Sequence, residues 1–351
     1  MIRLGIIGTG GMANSHATNY KTLKGVKIVA CCDIDPKRAS AFAEKWGVPH
    51  WYADYNEMLA AGSLDAVDNV TIDAMHAPIS LAVIDKGLPV LCEKPLATTL
   101  ADARKMRDAA QRRGVVTQVN FSYRNSCGAQ AAAQFIAKGG IGRILHVEAS
   151  YLQSWLVQDA WGDWRSADQF TWRLSTRHGS GGTVADVGCH IYDLTALLCG
   201  DIAEIDCRTS TFDKGIDGNR IGPYVLDAND SFVSTIRLAG GGIGTVHASR
   251  WASGHLNSLR VRVYGDKGGV EVDLDRSYDQ YRVCAGAKAL RKAEWKDVTC
   301  KKTPSQYQRF LAAVRAGKSD VSDFANGAKV QAYLDASMTS AARGRAVKVK
   351  F

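Results

Sequence analysis

The sequence predicts a two-domain α/β protein. An N-terminal doubly wound parallel sheet spans residues 1–122, and an α+β domain with a large, mostly antiparallel open sheet spans residues 123–351. Three observations lead there. Short apolar runs alternate with helical stretches from Ile2 to Phe121, the repetition of a parallel sheet with crossover helices. A glycine-rich turn, G-I-I-G-T-G-G-M-A from Gly5 to Ala13, closes the first run. Beyond Ile144 the period changes to longer runs rich in β-branched residues, separated by turn signals such as Gly240-Gly241-Gly242 and Asp266-Lys267-Gly268. With 351 residues, 46% of them apolar, the chain has enough material for two cores.

Taken in order, Ile2 to Ile7 reads as a buried strand, and a helix begins inside the glycine turn and runs toward Tyr20. Val26 to Cys32 is the second strand and ends at Asp33. Pro36 opens an alanine-rich helix through Lys45. A short strand at His50 to Tyr52 and a helix from Tyr55 to Ala60 follow. Ala66 to Ile72 and Pro89 to Cys92 are the next strands, Pro78 to Lys86 and Leu100 to Gln111 the helices, and Val115 to Phe121 a sixth strand. In the second domain the strands are expected from Ile144 through Trp155, and at Ile205–Phe212, Asp230–Leu238, Gly244–Trp251, Leu259–Tyr264 and Gly269–Leu274. Helices are expected at Gly188–Leu198, Gln306–Arg315 and Asp323–Arg343.

Composition narrows the function. The net charge of +9 is spread through helical and loop segments, and its densest groups lack interleaved aromatics, so no nucleic acid partner is expected. Nine cysteines with no C-x-x-C pair read as free thiols in a reducing compartment. No apolar stretch approaches the roughly 20 residues of a membrane-spanning helix, and the Ile2–Ile7 run is too short for a secretory signal. A cytoplasmic protein without a membrane partner is expected. No H-E-x-x-H occurs, and the histidines form no sequence-local ligand set, so no metal is expected.

The chemistry concentrates at three places. Gly8-x-Gly10-x-x-Ala13 between a strand and a helix fits a dinucleotide fingerprint, in which glycines admit a pyrophosphate to a helix N-terminus. Asp33, 25 residues after Gly8 and at the end of the second strand, suits the adenosine ribose hydroxyls. That carboxylate points to NAD; Lys37 and Arg38 close behind it keep NADP open. Lys94, in L-C-E-K-P-L after the fifth strand, lies at the carboxyl end of a strand, where ligands collect in open sheets. Pro95 admits a cis bond there. Asp186 and His190, four residues apart as a helix begins, can face one pocket, and histidine suits proton abstraction near neutral pH. Between Trp155 and Arg173, Trp155, Trp161, Trp164 and Trp172 accompany Gln153, Asp159, Asp163, Arg165, Asp168 and Arg173. Aromatic faces with charged hydrogen-bonding groups suit a polyol, while part of this set must pack the domain.

These motifs, with C-E-K-P-L-A at Cys92–Ala97, N-F-S-Y-R at Asn120–Arg124, D-V-G-C-H-I-Y-D-L at Asp186–Leu194 and V-Y-G-D-K-G-G at Val263–Gly269, carry a resemblance nearly end to end. The chain resembles the glucose–fructose oxidoreductase, inositol dehydrogenase and rhizopine-catabolism (Gfo/Idh/MocA) family of NAD(P)-dependent oxidoreductases, whose first domain is a Rossmann fold. The resemblance implies Lys94, Asp186 and His190 as catalytic residues. It implies a cofactor set of Gly8, Thr9, Gly10, Gly11, Met12, Asp33, Thr71, Asp73, His76, Glu93, Lys94 and Asn120. Lys94, Tyr123, Gln153, Trp155, Trp164, Arg173, Asp186 and His190 are implied on the substrate side. The loop that often opens T-P-N in the family reads Thr71-Ile72-Asp73 here, and the lead into Asp186 is altered to W-R-L-S-T-R-H-G-S-G-G. Tyr151 to Leu156 resembles members acting on inositols, monosaccharides and anhydrosugars such as levoglucosan.

The implied activity is reversible oxidation of a secondary ring hydroxyl of a sugar, anhydrosugar or inositol to a ketone, with NAD, or NADP, as cofactor. His190 would be the principal base, with Lys94 and Asp186 shaping the proton path. Two other readings stay open: an NAD-dependent glycoside-cleaving enzyme that oxidises transiently and eliminates, and a non-catalytic sugar- or cofactor-sensing regulator. A homodimer or homotetramer is expected from the resemblance.

Overall fold

The computed structural model describes residues 1–166 and 168–351, and of residues 168 and 169 the backbone only. The chain divides into two compact units: unit 1 holds residues 1–121 and 304–331, unit 2 residues 122–303 and 332–351.

Unit 1 is built on six parallel strands: β1 (Ile2–Ile7), β2 (Val26–Cys32), β3 (His50–Tyr52), β4 (Ala66–Asn69), β5 (Val90–Cys92) and β6 (Thr117–Val119), in the order β3-β2-β1-β4-β5-β6. This is the doubly wound order, and its reversal between β1 and β4 marks where ligands bind outside the strand ends. In β1 only Arg3 is exposed, as expected of a central strand covered on both faces. The helices are α1 (Gly11–Lys21), α2 (Pro36–Trp46), α3 (Tyr55–Ala60), α4 (Asp73–Asp85) and α5 (Leu100–Arg113). Local chemistry sets their ends. In α2, Asp35 accepts from the Lys37 N–H at 2.9 Å, Pro36 occupies the first turn, and Gly47 stops the helix in the left-handed conformation.

Two elements differ from expectation. The fourth strand stops at Asn69, because the Asn69 side-chain oxygen accepts from the Thr71 hydroxyl at 2.6 Å and turns the chain. Helix α4 then starts at Asp73, not at Pro78; Asp73 complements the positive helix end, and Pro78 sits inside the helix, giving up its bond to residue 74. The returning helix Gln306–Ala316 opens with a capping box between Ser305 and Gln308 and buries Tyr307, Phe310 and Leu311 among Ile2, Leu4, Ala13 and Ala17.

Unit 2 carries a nine-stranded sheet in the order Lys296–Thr299, Gln280–Ala285, Gly268–Asp273, Asn257–Gly265, Ile144–Gln153, Ile243–Ser249, Ser231–Leu238, Ile202–Ser210 and Val347–Lys348. Every neighbouring pair is antiparallel except Ile144–Gln153 with Ile243–Ser249. Along Ser231–Leu238 the residues Phe232, Ser234, Ile236 and Leu238 point inward while Val233, Thr235 and Arg237 face out. Helix Gly188–Cys199 packs on strands Ile144–Gln153, Ile243–Ser249 and Asn257–Gly265. Helix Cys127–Ala137 and strands Gln280–Ala285 and Lys296–Thr299 add to the expected set. Among the described residues no helix is long and apolar enough to cross a membrane, and no cluster of three or more His, Cys, Asp or Glu can hold a metal.

Candidate active site

The glycine turn has two kinds of glycine. Gly8 has φ +89°, and a Cβ there would stand 2.6 Å from the Val70 carbonyl oxygen, so β1 and β4 meet through bare backbone. A Cβ on Gly10 or Gly11 would meet nothing within 4 Å. That open ground lies at the start of α1, whose first turn has no side-chain cap and no acidic residue. Orphan N–H donors and the positive helix end suit an anion such as a pyrophosphate. Met12 beside them is half exposed.

Asp33 sits at the end of β2 with its carboxylate fixed from both sides. Oδ2 accepts from the Thr9 N–H and the Thr9 hydroxyl, each at 2.9 Å. Oδ1 accepts from the Asp35 N–H at 3.0 Å and from Arg38 at 2.9 Å. Burial alone would raise its pKa, but these donors outweigh it and hold the carboxyl below the usual range. Asp33 is therefore a preorganised acceptor at the position of the ribose hydroxyls in this fold. Arg38, exposed to solvent, is the basic group paired with this carboxylate.

The E-K-P turn follows β5. Its Lys94–Pro95 peptide is cis. Glu93 is buried; its Oε2 accepts from the Lys94 N–H at 3.1 Å and its Oε1 from Asn120 at 2.5 Å. Burial pushes the Glu93 carboxyl up, yet His16, Lys94 and Asn120 hold it down to about 2. The ring of His76, wholly buried on α4, bridges the carbonyl oxygens of Pro95 at 2.7 Å and Thr71 at 3.1 Å. Thr71 and His76 thus tie the loop after β4 to the E-K-P turn, and Asp73 opens α4 beside them.

In unit 2, Asp186 ends a short helix, Gly182–Asp186, and His190 lies in the first turn of the next, Gly188–Cys199. Asn229 secures the approach: its backbone carbonyl accepts from the Thr183 N–H at 2.8 Å and its side-chain oxygen from the Val184 N–H at 3.0 Å. Asp186 Oδ2 accepts from Arg250 at 2.8 Å and lies 3.5 Å from Arg173. Arg250 is fully buried and lies over the Trp155 ring at 4.9 Å; burial lowers its pKa, and Asp186 opposes that. The imidazole of His190 stands edge-on to Tyr123, centroids 4.8 Å apart. Tyr123 shares a 2.5 Å hydrogen bond with the hydroxyl of Tyr151 and accepts from Asn257 at 2.6 Å. The Asn257 side-chain oxygen accepts from Tyr151 at 2.5 Å and from Gln153 at 2.9 Å, and Trp155 donates to Gln153 at 3.2 Å. A continuous polar chain therefore runs from Tyr123 to Trp155 beside His190.

Of the tryptophan segment, Trp155 and Trp164 are buried in an apolar cluster with Leu156, Leu174 and Leu226. Trp161 is exposed. The guanidinium of Arg173 lies over Trp172 at 4.7 Å. The side chain of Asp168 lies outside those described.

Sequence reading missed several supports: Tyr151, Asn257, Arg250, and the buried bidentate pair of Arg124 with Asp193, both contacts 2.7 Å. That pair ties the Ser122–Asn125 turn, which carries Tyr123, to the helix of His190. Its signal was present: two motifs carrying opposite charges within apolar surroundings, where unpaired charge is not tolerated.

A doubly wound sheet with an uncapped glycine turn, a ribose-directed carboxylate and a lysine at the sheet's ligand end defines an NAD(P)-dependent oxidoreductase. The chain belongs to the Gfo/Idh/MocA family. Residues 2–121 match the oxidoreductase family model with an NAD-binding Rossmann fold, and residues 129–271 match the GFO/IDH/MocA C-terminal domain. The chain is 27% identical over 304 residues to levoglucosan dehydrogenase of Pseudarthrobacter phenanthrenivorans, covering 78% of this chain and 74% of that one. It is 27% identical over 354 residues to D-apiose dehydrogenase of Paraburkholderia graminis, covering 98% and 89%. A solved levoglucosan dehydrogenase in complex with NADH and levoglucosan superposes with a TM-score of 0.87 at 25% identity, over 100% of both chains.

Proposed function

We propose that this protein oxidises a secondary ring hydroxyl of a sugar, anhydrosugar or inositol to the ketone, reversibly, with NAD, or NADP, as cofactor. The observation that carries the reading is the fixed polar frame around His190 and Asp186: a carboxylate held by two guanidiniums, and an imidazole set against a chain of hydroxyl and amide groups. Such a frame suits a polyhydroxylated substrate, and the similar dehydrogenases named above act on levoglucosan and D-apiose by their names.

In this reading Gly10, Gly11 and the first turn of α1 hold the pyrophosphate, with Thr9 and Met12 flanking it, and Asp33 holds the ribose. Thr71 and Asp73 border the remaining cofactor surface, and the buried His76, Glu93 and Asn120 support it from behind. Bound NAD(P) supplies the hydride acceptor. His190 takes the proton of the reacting hydroxyl. Lys94 donates a hydrogen bond to that oxygen and stabilises the charge gathering there. Asp186, its charge already met by Arg250 and Arg173, suits holding a substrate hydroxyl and the orientation of the site. Tyr123, Gln153, Trp155, Trp164 and Arg173 complete the substrate side.

The test is reduced-cofactor formation at mildly alkaline pH across inositols, aldoses and anhydrosugars, each with NAD and with NADP, for wild type and His190→Ala. We expect turnover with one or a few ring polyols, reduced by roughly 10²–10⁴-fold in the variant, the usual range for loss of a placed base. Near-normal turnover of His190→Ala would remove His190 from the role.

A further inference from the structure

Helix α1 buries one face, Ala13, His16, Ala17 and Tyr20, at helical spacing. Small apolar residues explain themselves there; a histidine does not. The His16 ring is wholly buried in the middle of unit 1, with no solvent to satisfy it. Its Nδ1 lies 2.8 Å from Asp68 Oδ2 on β4, and its Nε2 lies 3.0 Å from Glu93 Oε1 at the end of β5. Asp68 and Glu93 are themselves buried. The other groups facing the ring are Asn120, whose Nδ2 lies 3.1 Å from Nε2 and donates to Glu93 Oε1, and Tyr307, edge-on with centroids 5.0 Å apart. Lys94 follows Glu93 directly and acts electrostatically on it. Two carboxylates converging on one ring favour an imidazolium donating from both nitrogens. Burial opposes that charge, but Asp68 and Glu93 outweigh it and hold the His16 pKa at about 10.

The consequence lies one residue further on. Glu93 uses Oε1 for His16 and Asn120, and Oε2 for the Lys94 N–H. A carboxylate held at one oxygen by a rigid helix presents the other at a set place. We propose that His16 is a positioning residue for the E-K-P turn, spanning Asp68 and Glu93 so that Glu93 fixes the backbone that carries Lys94. The proposal rests on the reading above in giving Lys94 a task, but the placement of its backbone is testable without that reading. Against a purely structural role stands the cost of the arrangement: an apolar residue would fill the α1 face without burying three ionisable groups, and such clusters are weak contributors to stability. Geometry is what they supply.

The experiment uses the full chain with and without NAD. Ring-labelled histidine NMR is expected to find one imidazolium that keeps both N–H protons up to about pH 9. In His16→Gln, amide exchange at Lys94 should accelerate at least tenfold relative to other protected unit 1 amides, in the cofactor-free protein. With substrate, kcat should fall by about 10²-fold, the scale of a 1 Å misplacement, while the KM for the sugar changes less than threefold. Adding Glu93→Gln to His16→Gln should cost little more than either alone, since both act through one contact. Should His16→Gln fail to fold, His16→Gln with Asp68→Asn removes one of the two stranded buried charges, leaves Glu93 in place and carries the same comparison. A neutral His16 at pH 8, or unchanged Lys94 exchange and unchanged kcat in a folded variant, overturns the proposal. Lys94→Ala with full activity would instead overturn the catalytic reading, leaving the exchange result to judge His16 by itself.

Discussion

The carboxylate of Asp33 accepts both the backbone N–H and the hydroxyl of Thr9 through one oxygen, each at 2.9 Å, so the tip of the glycine turn and the end of β2 are a single hydrogen-bonded unit. The acceptor is in place before any ligand arrives. Asp33→Ser should lower kcat/KM for NAD by about 10–100-fold, the range for losing a charged hydrogen-bonding partner. It should also raise the ratio of NADP to NAD use, because Arg38 is released from its 2.9 Å contact with Asp33, keeping only the 3.6 Å pair with Asp35, and the ribose-directed carboxylate that would repel a 2′-phosphate is gone. Steady-state kinetics with both cofactors check this; an unchanged ratio contradicts it.

The two kinds of glycine separate experimentally. Gly8→Ala forces a side chain onto the Val70 backbone at a positive φ, and should cost about 1–3 kcal/mol or more of stability. Gly10→Ala meets nothing and has φ −72°, so its unfolding midpoint should stay within about 0.5 kcal/mol of wild type while NAD binding weakens. Denaturation and cofactor titration of the two variants read the contrast directly. Equal effects on stability would contradict it.

Stability should depend on pH through His16 with a definite sign. Its folded pKa, about 10, lies above the ordinary 6.5, so the fold binds a proton that the unfolded chain releases. The stabilisation is complete below about pH 6.5 and is lost as pH rises towards 10. Glu93, held at about 2, works at the other end: its contribution is present above about pH 4.5 and is lost as pH falls toward 2. The Tm of wild type should therefore fall between pH 7 and 10 by more than that of His16→Gln. Parallel pH profiles would contradict the buried imidazolium.

Arg250 is buried with its charge answered by Asp186. Arg250→Met should destabilise the protein by roughly 1–3 kcal/mol, less than for a fully buried pair because Asp186 is partly exposed. It should also raise the sugar KM through the loosened carboxylate. Chemical denaturation and substrate titration check both; loss of stability with normal KM would restrict Arg250 to packing.

The parallel sheet was legible because buried strands, crossover helices and the glycine turn obey local rules, and Gly8, Asp33 and Lys94 fall at strand ends by those rules. The buried frame was not. His16 lies on an apolar helix face where periodicity registers only helix, and its partners Asp68 and Glu93 lie 52 and 77 residues away. Arg250 follows one strand and Asn257 opens another, neither in a motif, and their partners Asp186, Tyr123 and Tyr151 are supplied by tertiary contacts alone. Asn69 ended β4 early through a side-chain bond to Thr71 that strand propensity does not encode.

The central claim is net hydride transfer from a carbohydrate carbon. The most direct measurement incubates the protein with NAD and an active polyol deuterated at each ring carbon in turn, and follows NADH and products together by NMR. Deuterium from one ring carbon is expected in the NADH formed, with one ketone per NADH. Glycosidic cleavage without net NADH, or cofactor binding with no chemistry on any polyol, would contradict it.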